Sequence, residues 1–80
     1  ESLSPLKVLQ NREMAETIKF AINSLSEVLK STFVLREFEE LTYEELARVF
    51  RCSRGTIKSR LSRAREQLRR KIEPYLNGVV

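Results

Sequence analysis

The sequence predicts an all-α fold, a small four-helix domain that ends in a helix-turn-helix. Apolar residues recur at spacings of three and four, which is the period of one helical face. Ser or Thr followed three residues later by Glu, the capping-box sequence that opens helices, occurs twice. Alternating β-branched runs, which would indicate strands, are absent from the sequence. A chain of 80 residues is long enough for a single domain.

The first helix is predicted over roughly residues 12–23. Residues 1–10, which contain Ser4-Pro5, are expected to be a linker or the frayed start of a helix, because Pro is favoured at the first helical position. Residues 11–77 then form the domain. The apolar positions of the first helix and its end define one stripe, which consists of Met14, Ile18, Ala21, Ile22 and Leu25.

The second helix is predicted to begin at the capping-box sequence from Ser24 to Glu27. Its apolar residues cover more than half of the circumference. We therefore expect this helix to be the buried centre of the domain or to face a partner in part. These residues are Val28, Leu29, Phe33, Val34, Leu35 and Phe38.

The third helix is predicted to begin after Thr42, as N-cap, with Glu45 completing a second capping box. Its inward side is expected to hold Leu46, Ala47, Val49 and Phe50.

The fourth helix follows after only two or three residues, with Ser53 as its expected N-cap, so the two helices form a helix-turn-helix. It should end near Glu73, since Pro74 disfavours helical backbone in the residue before it. Its apolar stripe consists of Ile57, Leu61, Ala64, Leu68 and Ile72.

The composition excludes most enzyme chemistry. The chain has no His and a single Cys, Cys52, so neither a Ser-His or Cys-His nucleophilic site nor a multi-cysteine zinc site can be built from it. Its two glycines leave no phosphate-cradling loop. We expect no catalysis, no cofactor, no metal and no small-molecule ligand. The lone cysteine fits a cytoplasmic protein, and no apolar run is long enough to span a bilayer.

The charge is unevenly distributed along the chain. Residues 1–50 carry six Lys and Arg against nine Glu, a net charge of −3. Residues 51–80 carry nine Lys and Arg against two Glu, a net charge of +7. This asymmetry indicates a basic face that meets a polyanion or a membrane surface. A solvated helix with surplus Arg is the alternative.

The exposed face of the fourth helix decides between a nucleic-acid reader and an ordinary helical hairpin. At 100° per residue, small residues and long cations lie together opposite the apolar stripe. Small side chains let the backbone approach base edges, and Arg and Lys reach guanine or phosphate. Residues 54–65 contain five cations and no acid. We therefore interpret the fourth helix as a long recognition helix for nucleic acid.

Two blocks of the sequence resemble a known family. Residues 35–47 read LREFEELTYEELA and residues 55–65 read GTIKSRLSRAR. Together they are similar to region four of bacterial sigma-70-family factors, closest to the extracytoplasmic-function type. The resemblance covers roughly residues 20–73. It implies a promoter-recognition domain that binds the −35 element of double-stranded DNA and docks on the flap of core RNA polymerase. It also admits an anti-sigma factor as a partner.

The resemblance implies roles for individual residues. Four would approach base edges, namely Lys58, Ser59, Ser62 and Arg63. Five would lie near phosphates, namely Arg54, Gly55, Thr56, Arg60 and Arg65. The chain departs from the family pattern at Glu40 and Arg51, where Gly is usual. A residue that ends a helix there often needs a positive φ, so these departures affect turn geometry rather than the exposed face.

Two other classes of function remain open from the sequence. One is a different helix-turn-helix regulator, such as a response-regulator output domain, which has a similar second helix. The other is a helical interaction module whose basic helix binds an acidic protein or an anionic membrane. The second option is less favoured because the fourth helix has only modest aliphatic residues opposite its cations, and the core needs them.

Overall fold

The computed structural model describes residues 12–77, and this part of the chain contains four helices and no strand. They are α1 (Arg12–Asn23), α2 (Glu27–Glu37), α3 (Tyr43–Phe50) and α4 (Arg54–Asn77). The all-α prediction, the four helices and the tight connection between the last two are confirmed. The expected linker over residues 1–10 lies outside the described residues.

The central element is α4, which packs on each of the other three helices. Its five predicted inward residues are all at most 1% exposed. Ile57 and Leu61 lie in one apolar cluster, and Ala64, Leu68 and Ile72 lie in another. A single continuous helix therefore supplies part of both cores.

The first cluster joins α1 and α2 to the C-terminal half of α4. Its members from α1, the following turn and α2 are Ile18, Ala21, Leu25, Leu29 and Phe33. The second cluster joins α3 to the N-terminal half of α4 around the fully buried Leu46. Partly buried side chains close it from the sides, among them Leu35, Leu41, Tyr43, Ala47 and Phe50.

The predicted N-cap of α2 is wrong by two residues. Ser26, in extended backbone, accepts a hydrogen bond from the Leu29 N–H and is the N-cap. The Ser24 hydroxyl instead donates to the Ala21 carbonyl and so completes the end of α1. Leu25 is buried between the two serines. Ser24 therefore belongs to the end of α1, and Ser26 belongs to the start of α2.

The turn between α2 and α3 contains Glu40 with φ 61°, in the left-handed region. The Leu41 N–H donates to the Leu35 carbonyl, and an Arg36 guanidinium nitrogen donates to the Leu41 carbonyl at 2.8 Å. The positive φ expected at Glu40 is thus confirmed. The capping box of α3 is also confirmed, since Thr42 and Glu45 exchange both hydrogen bonds.

The turn between α3 and α4 is a Schellman motif. Arg51 has φ 55°, its N–H donates to the Arg48 carbonyl, and the Cys52 N–H donates to the Ala47 carbonyl. Three residues therefore connect the two helices, and the N–H groups of the first two are paired. This fixes how α4 leaves α3, although a side chain at positive φ costs free energy that Gly would avoid.

The predicted end of α4 near Glu73 is wrong, because the helix continues through Pro74 to Asn77. Proline removes one backbone N–H, so it weakens a helix by one hydrogen bond close to its end. Beyond the fully buried Ile72, Pro74 and Tyr75 line a groove with Phe20 of α1. The last turn of α4 therefore lies beside α1.

One packing prediction is also wrong. Val49 was expected inward but is 57% exposed. It lies beside the strip through which α3 meets its neighbours, and no described element covers it. Of the two alternatives expected for α2, burial at the centre of the domain describes Leu29 and Phe33, while Val28 of α2 and Phe38 just after it are exposed. Among the described helices, none is both long and apolar enough to cross a membrane.

We predict that Glu40→Gly stabilises the fold and Glu39→Gly does not. Glycine adopts φ 61° without a Cβ penalty, so Glu40→Gly should raise the free energy of unfolding by about 0.5–1 kcal/mol. Glu39 has the same charge as its neighbour Glu40 but does not have a positive φ. Glycine at position 39 therefore only adds entropy to the unfolded state, which does not stabilise the fold. Urea unfolding of both variants measures this difference, and equal midpoints would contradict the strain assigned to Glu40.

Candidate nucleic-acid interface

The outer side of α4 carries a shallow, open depression. Its lining consists of Gly55, Lys58, Ser59, Ser62, Arg63 and Glu66. All four residues predicted to approach base edges are brought together here, and each of the four is exposed. Their spacing along one helix places small side chains between two long cations. A double-stranded nucleic acid could therefore approach the backbone of α4 closely along this line.

The first turn of α4 offers a site for an anion. Ser53 caps the helix, because its Oγ accepts a hydrogen bond from the Thr56 N–H and also contacts the Thr56 hydroxyl. The first turn contains no acid. Within residues 12–77, no acceptor is assigned to the N–H groups of Arg54 and Gly55. Unpaired amides and the helix dipole both favour a phosphate oxygen at this end.

Several cations of α4 are held by other parts of the same chain. Arg54 forms an ion pair with Glu44 of α3 at 3.4 Å, with both side chains more than half exposed. The Arg60 guanidinium lies 5.7 Å from the centre of the Phe50 ring, which is a cation-π distance. Glu44 and Phe50, the partners of these two cations, both belong to α3, which packs against the N-terminal half of α4. Both cations remain near enough to solvent to meet a phosphate.

Arg65 is held differently from the other predicted phosphate contacts. One of its Nη atoms donates to the Glu37 carboxylate of α2 at 2.8 Å. The hydrogen bond to Glu37 raises the pKa of Arg65 above its ordinary value, partial burial acts in the opposite direction, and the Glu37 charge and nearby Tyr43 raise it further. The structure therefore places Arg65 at a contact between helices rather than in the outer depression.

Glu66 closes the C-terminal end of the depression and binds the cations that follow it. Arg69 donates to one of its carboxylate oxygens and Arg70 to the other. By contrast, no ion pair involves Lys58 or Arg63 within the described part of the chain. Within this range, the two cations of the outer depression without an ion pair are therefore those that flank Ser59 and Ser62.

The sequence contains a clue to this division among the cations. In projection, Arg65 lies about 60° from the centre of the apolar stripe, Arg60 and Lys58 lie about 80° from it on opposite sides, and Arg63 lies about 140° away, so the projection separates Arg65 from Arg63 but not Arg60 from Lys58. A long side chain close to the stripe meets the neighbouring helix before it meets solvent. Glu37 and Phe50, the partners of Arg65 and Arg60, were missed because their place in space depends on how α2 and α3 pack.

The architecture is that of a helix-turn-helix domain with one exposed, cationic face on its last helix. A family model described as sigma-70, region 4 matches residues 15–68, so the chain belongs to the sigma-70 region 4 family.

The chain is also similar to part of several RNA polymerase sigma factors. The chain is 40% identical over 73 residues to the RNA polymerase sigma-H factor of Pseudomonas aeruginosa, which covers 91% of the chain and 38% of that protein. It is 37% identical over 73 residues to the ECF RNA polymerase sigma-E factor of Haemophilus influenzae, covering 91% of the chain and 39% of that protein. It is 36% identical over 76 residues to the protein of the same name from Escherichia coli K12, covering 95% and 40%. The chain thus spans about two fifths of the length of these relatives.

We predict that Gly55→Ala leaves the fold intact or stabilises it. A Cβ at this position would meet only the Ser53 Oγ, at 3.7 Å, and the backbone does not have a positive φ. Alanine also has the higher helix propensity, so the free energy of unfolding should rise by up to about 1 kcal/mol. Thermal unfolding followed by circular dichroism measures it. A marked loss of stability would show that the fold itself requires glycine here.

Proposed function

We propose that this chain is the part of a sigma factor, of the extracytoplasmic-function type, that binds the promoter −35 element as double-stranded DNA. It acts without catalysis, in the cytoplasm, by placing RNA polymerase at a promoter. The domain assigned to this role is residues 11–77. Membership of the sigma-70 region 4 family supports the proposal, and so do relatives that are named RNA polymerase sigma factors.

The observation that carries the proposal is the outer face of α4. Lys58 and Arg63 have no ion pair in the described range and flank the small side chains of Ser59 and Ser62. A helix in the major groove reads bases with such side chains, since Arg and Lys can donate to guanine O6 and N7 and Ser bonds to any base. We assign these four residues to base edges.

Phosphate contacts would fix the position of the helix in the groove. We assign them to the first turn of α4, through the amides near Arg54 and Gly55 and the side chain of Thr56, and to Arg60. The Gly55 backbone has room for a methyl group as far as the fold is concerned. The fold does not require glycine at this position, so we attribute the absence of a side chain to close approach of the backbone to a phosphate.

The proposed partners besides promoter DNA are the flap of core RNA polymerase and, for regulation, an anti-sigma factor. A domain with so few free cations would bind DNA weakly alone. Tethering to polymerase and to a second promoter-binding domain raises the effective concentration at the promoter. Co-purification of the chain with core polymerase distinguishes this function from that of a response-regulator output domain, which would not be retained.

The test of base readout begins with selection from duplexes that contain a randomised segment of ten base pairs. The chain should enrich one sequence, and it should bind that duplex more tightly than a shuffled duplex of the same composition. Binding is then measured at several salt concentrations, since each phosphate contact adds about 0.9 to the slope of log K against log salt. Equal affinity for both duplexes at every salt concentration would leave only a generic basic surface.

We predict different effects for Arg63→Ala and Arg60→Ala. Loss of the unpaired Arg63 should reduce the preference for the enriched duplex by about 1–3 kcal/mol, since it removes a base contact. Loss of Arg60 should weaken both duplexes alike and reduce the salt slope by about one contact. Fluorescence anisotropy with both duplexes measures the two effects. The reverse pattern would exchange the roles given to these residues.

A further inference from the structure

The contact between Glu37 and Arg65 joins two helices that are distant in sequence. The residues are 28 positions apart, and Glu37 is the last residue of α2. Its side chain is 23% exposed, against 46% for Arg65. The other ion pair between described helices, Arg54 with Glu44, is longer and more exposed on its acidic side. The Glu37–Arg65 pair is therefore the better defined of the two.

The same contact belongs to a network that includes the start of α3. The Arg36 guanidinium lies 5.2 Å from the centre of the Tyr43 ring and also donates to the Leu41 carbonyl. Tyr43 also lies near enough to Arg65 to contribute to its raised pKa. Four side chains, those of Arg36, Glu37, Tyr43 and Arg65, thus connect α2, α3 and α4 at one point.

This point lies close to the residues that we assign to base edges. Along the axis of α4, Arg65 lies about 3 Å beyond Arg63 and about 4.5 Å beyond Ser62, which line the outer depression, while its own side chain leaves the helix towards Glu37 of α2. A rotation or shift of α4 by about 1 Å would break a 2.8 Å hydrogen bond, and it would also displace the donors from base edges. Errors of that size cost a great deal where contacts must be aligned.

We propose that Arg65, through Glu37, is a positioning residue that sets the orientation of α4 and thereby its discrimination between DNA sequences, and that it does not contact phosphate. The inference rests on the proposed function, because discrimination between duplexes is the property it explains. A guanidinium already bound by a half-buried carboxylate would have to leave that partner to reach DNA. It would also leave Glu37 with an unpaired charge.

The two possible roles of Arg65 predict opposite results for Glu37→Gln. If Arg65 is a phosphate contact, removal of the Glu37 charge frees it and should tighten binding to every duplex. If Arg65 is a positioning residue, Glu37→Gln loosens α4 and lowers the preference for the enriched duplex. Arg65→Gln should then have the same effect, with the salt slope on the shuffled duplex unchanged.

The experiment measures the affinity of the 80-residue chain for the enriched and the shuffled duplex, in the wild type, Glu37→Gln, Arg65→Gln and the double variant. We expect the affinity ratio to fall about three- to tenfold in each single variant and no further in the double variant, since both changes break one contact. Because a partly unfolded variant loses affinity for both duplexes equally, the ratio does not respond to lost stability alone.

Two controls match the charge changes. Glu39→Gln removes an acid two residues from Glu37 that has no ion pair within residues 12–77. Lys71→Gln removes a cation from α4 away from the outer depression. Both should leave the affinity ratio of the wild type unchanged.

Three results would overturn the inference. The first is an unchanged ratio in both single variants. The second is a uniform loss of affinity in Arg65→Gln with a salt slope smaller by about one contact, which would make it a phosphate contact. The third is an additive loss in the double variant. A wild-type chain without any preference would overturn the proposed function and this inference with it, whereas a wild type with a preference that survives both substitutions overturns the inference alone.

Discussion

The structure depends on the burial of one apolar stripe along α4. Ile57 and Leu61 hold the helix against α3, and Ala64, Leu68 and Ile72 hold it against α1 and α2. Since apolar burial is the main favourable contribution to folding, this stripe sets the coarse rotation of α4 about its axis by determining which side faces the core. Once that rotation is fixed, every residue on the opposite side faces outward. The core of the domain therefore determines which side chains of α4 a partner can meet.

The surplus of positive charge in the C-terminal part of the chain is smaller in effect than its count suggests. Acids from three helices bind cations of α4, namely Glu37 of α2, Glu44 of α3 and Glu66 of α4 itself. Such pairs on the surface contribute little to stability. Their main consequence is to determine where unpaired positive charge remains. It remains on the outer face of α4, next to small residues.

Much of the fold could be predicted from the sequence because helical periodicity and capping are local properties. The bounds of α1, the capping box at Thr42 and the buried stripe of α4 follow from residues close together in the chain. The errors arose where distant residues decide. Ser24 completes α1 next to the buried Leu25, and α4 continues past Pro74, where Pro74 and Tyr75 line a groove together with residues of α1.

The candidate site was predictable to the same extent and for the same reason. The helical projection of α4 identified the outer residues, but it could not distinguish a free cation from one bound to α2 or α3. Arg65 is the clear case, since its partner is 28 residues away.

The outer residues of α4 take no part in either apolar cluster. Substitutions at exposed positions of this kind change stability by only a few tenths of a kcal/mol. A lineage can therefore replace Ser59, Ser62 or Arg63 without losing the fold, one substitution at a time. The contacts that orient α4 stay in place during such changes. Related chains can therefore diverge in the DNA sequence they prefer while selection continues to maintain the same fold.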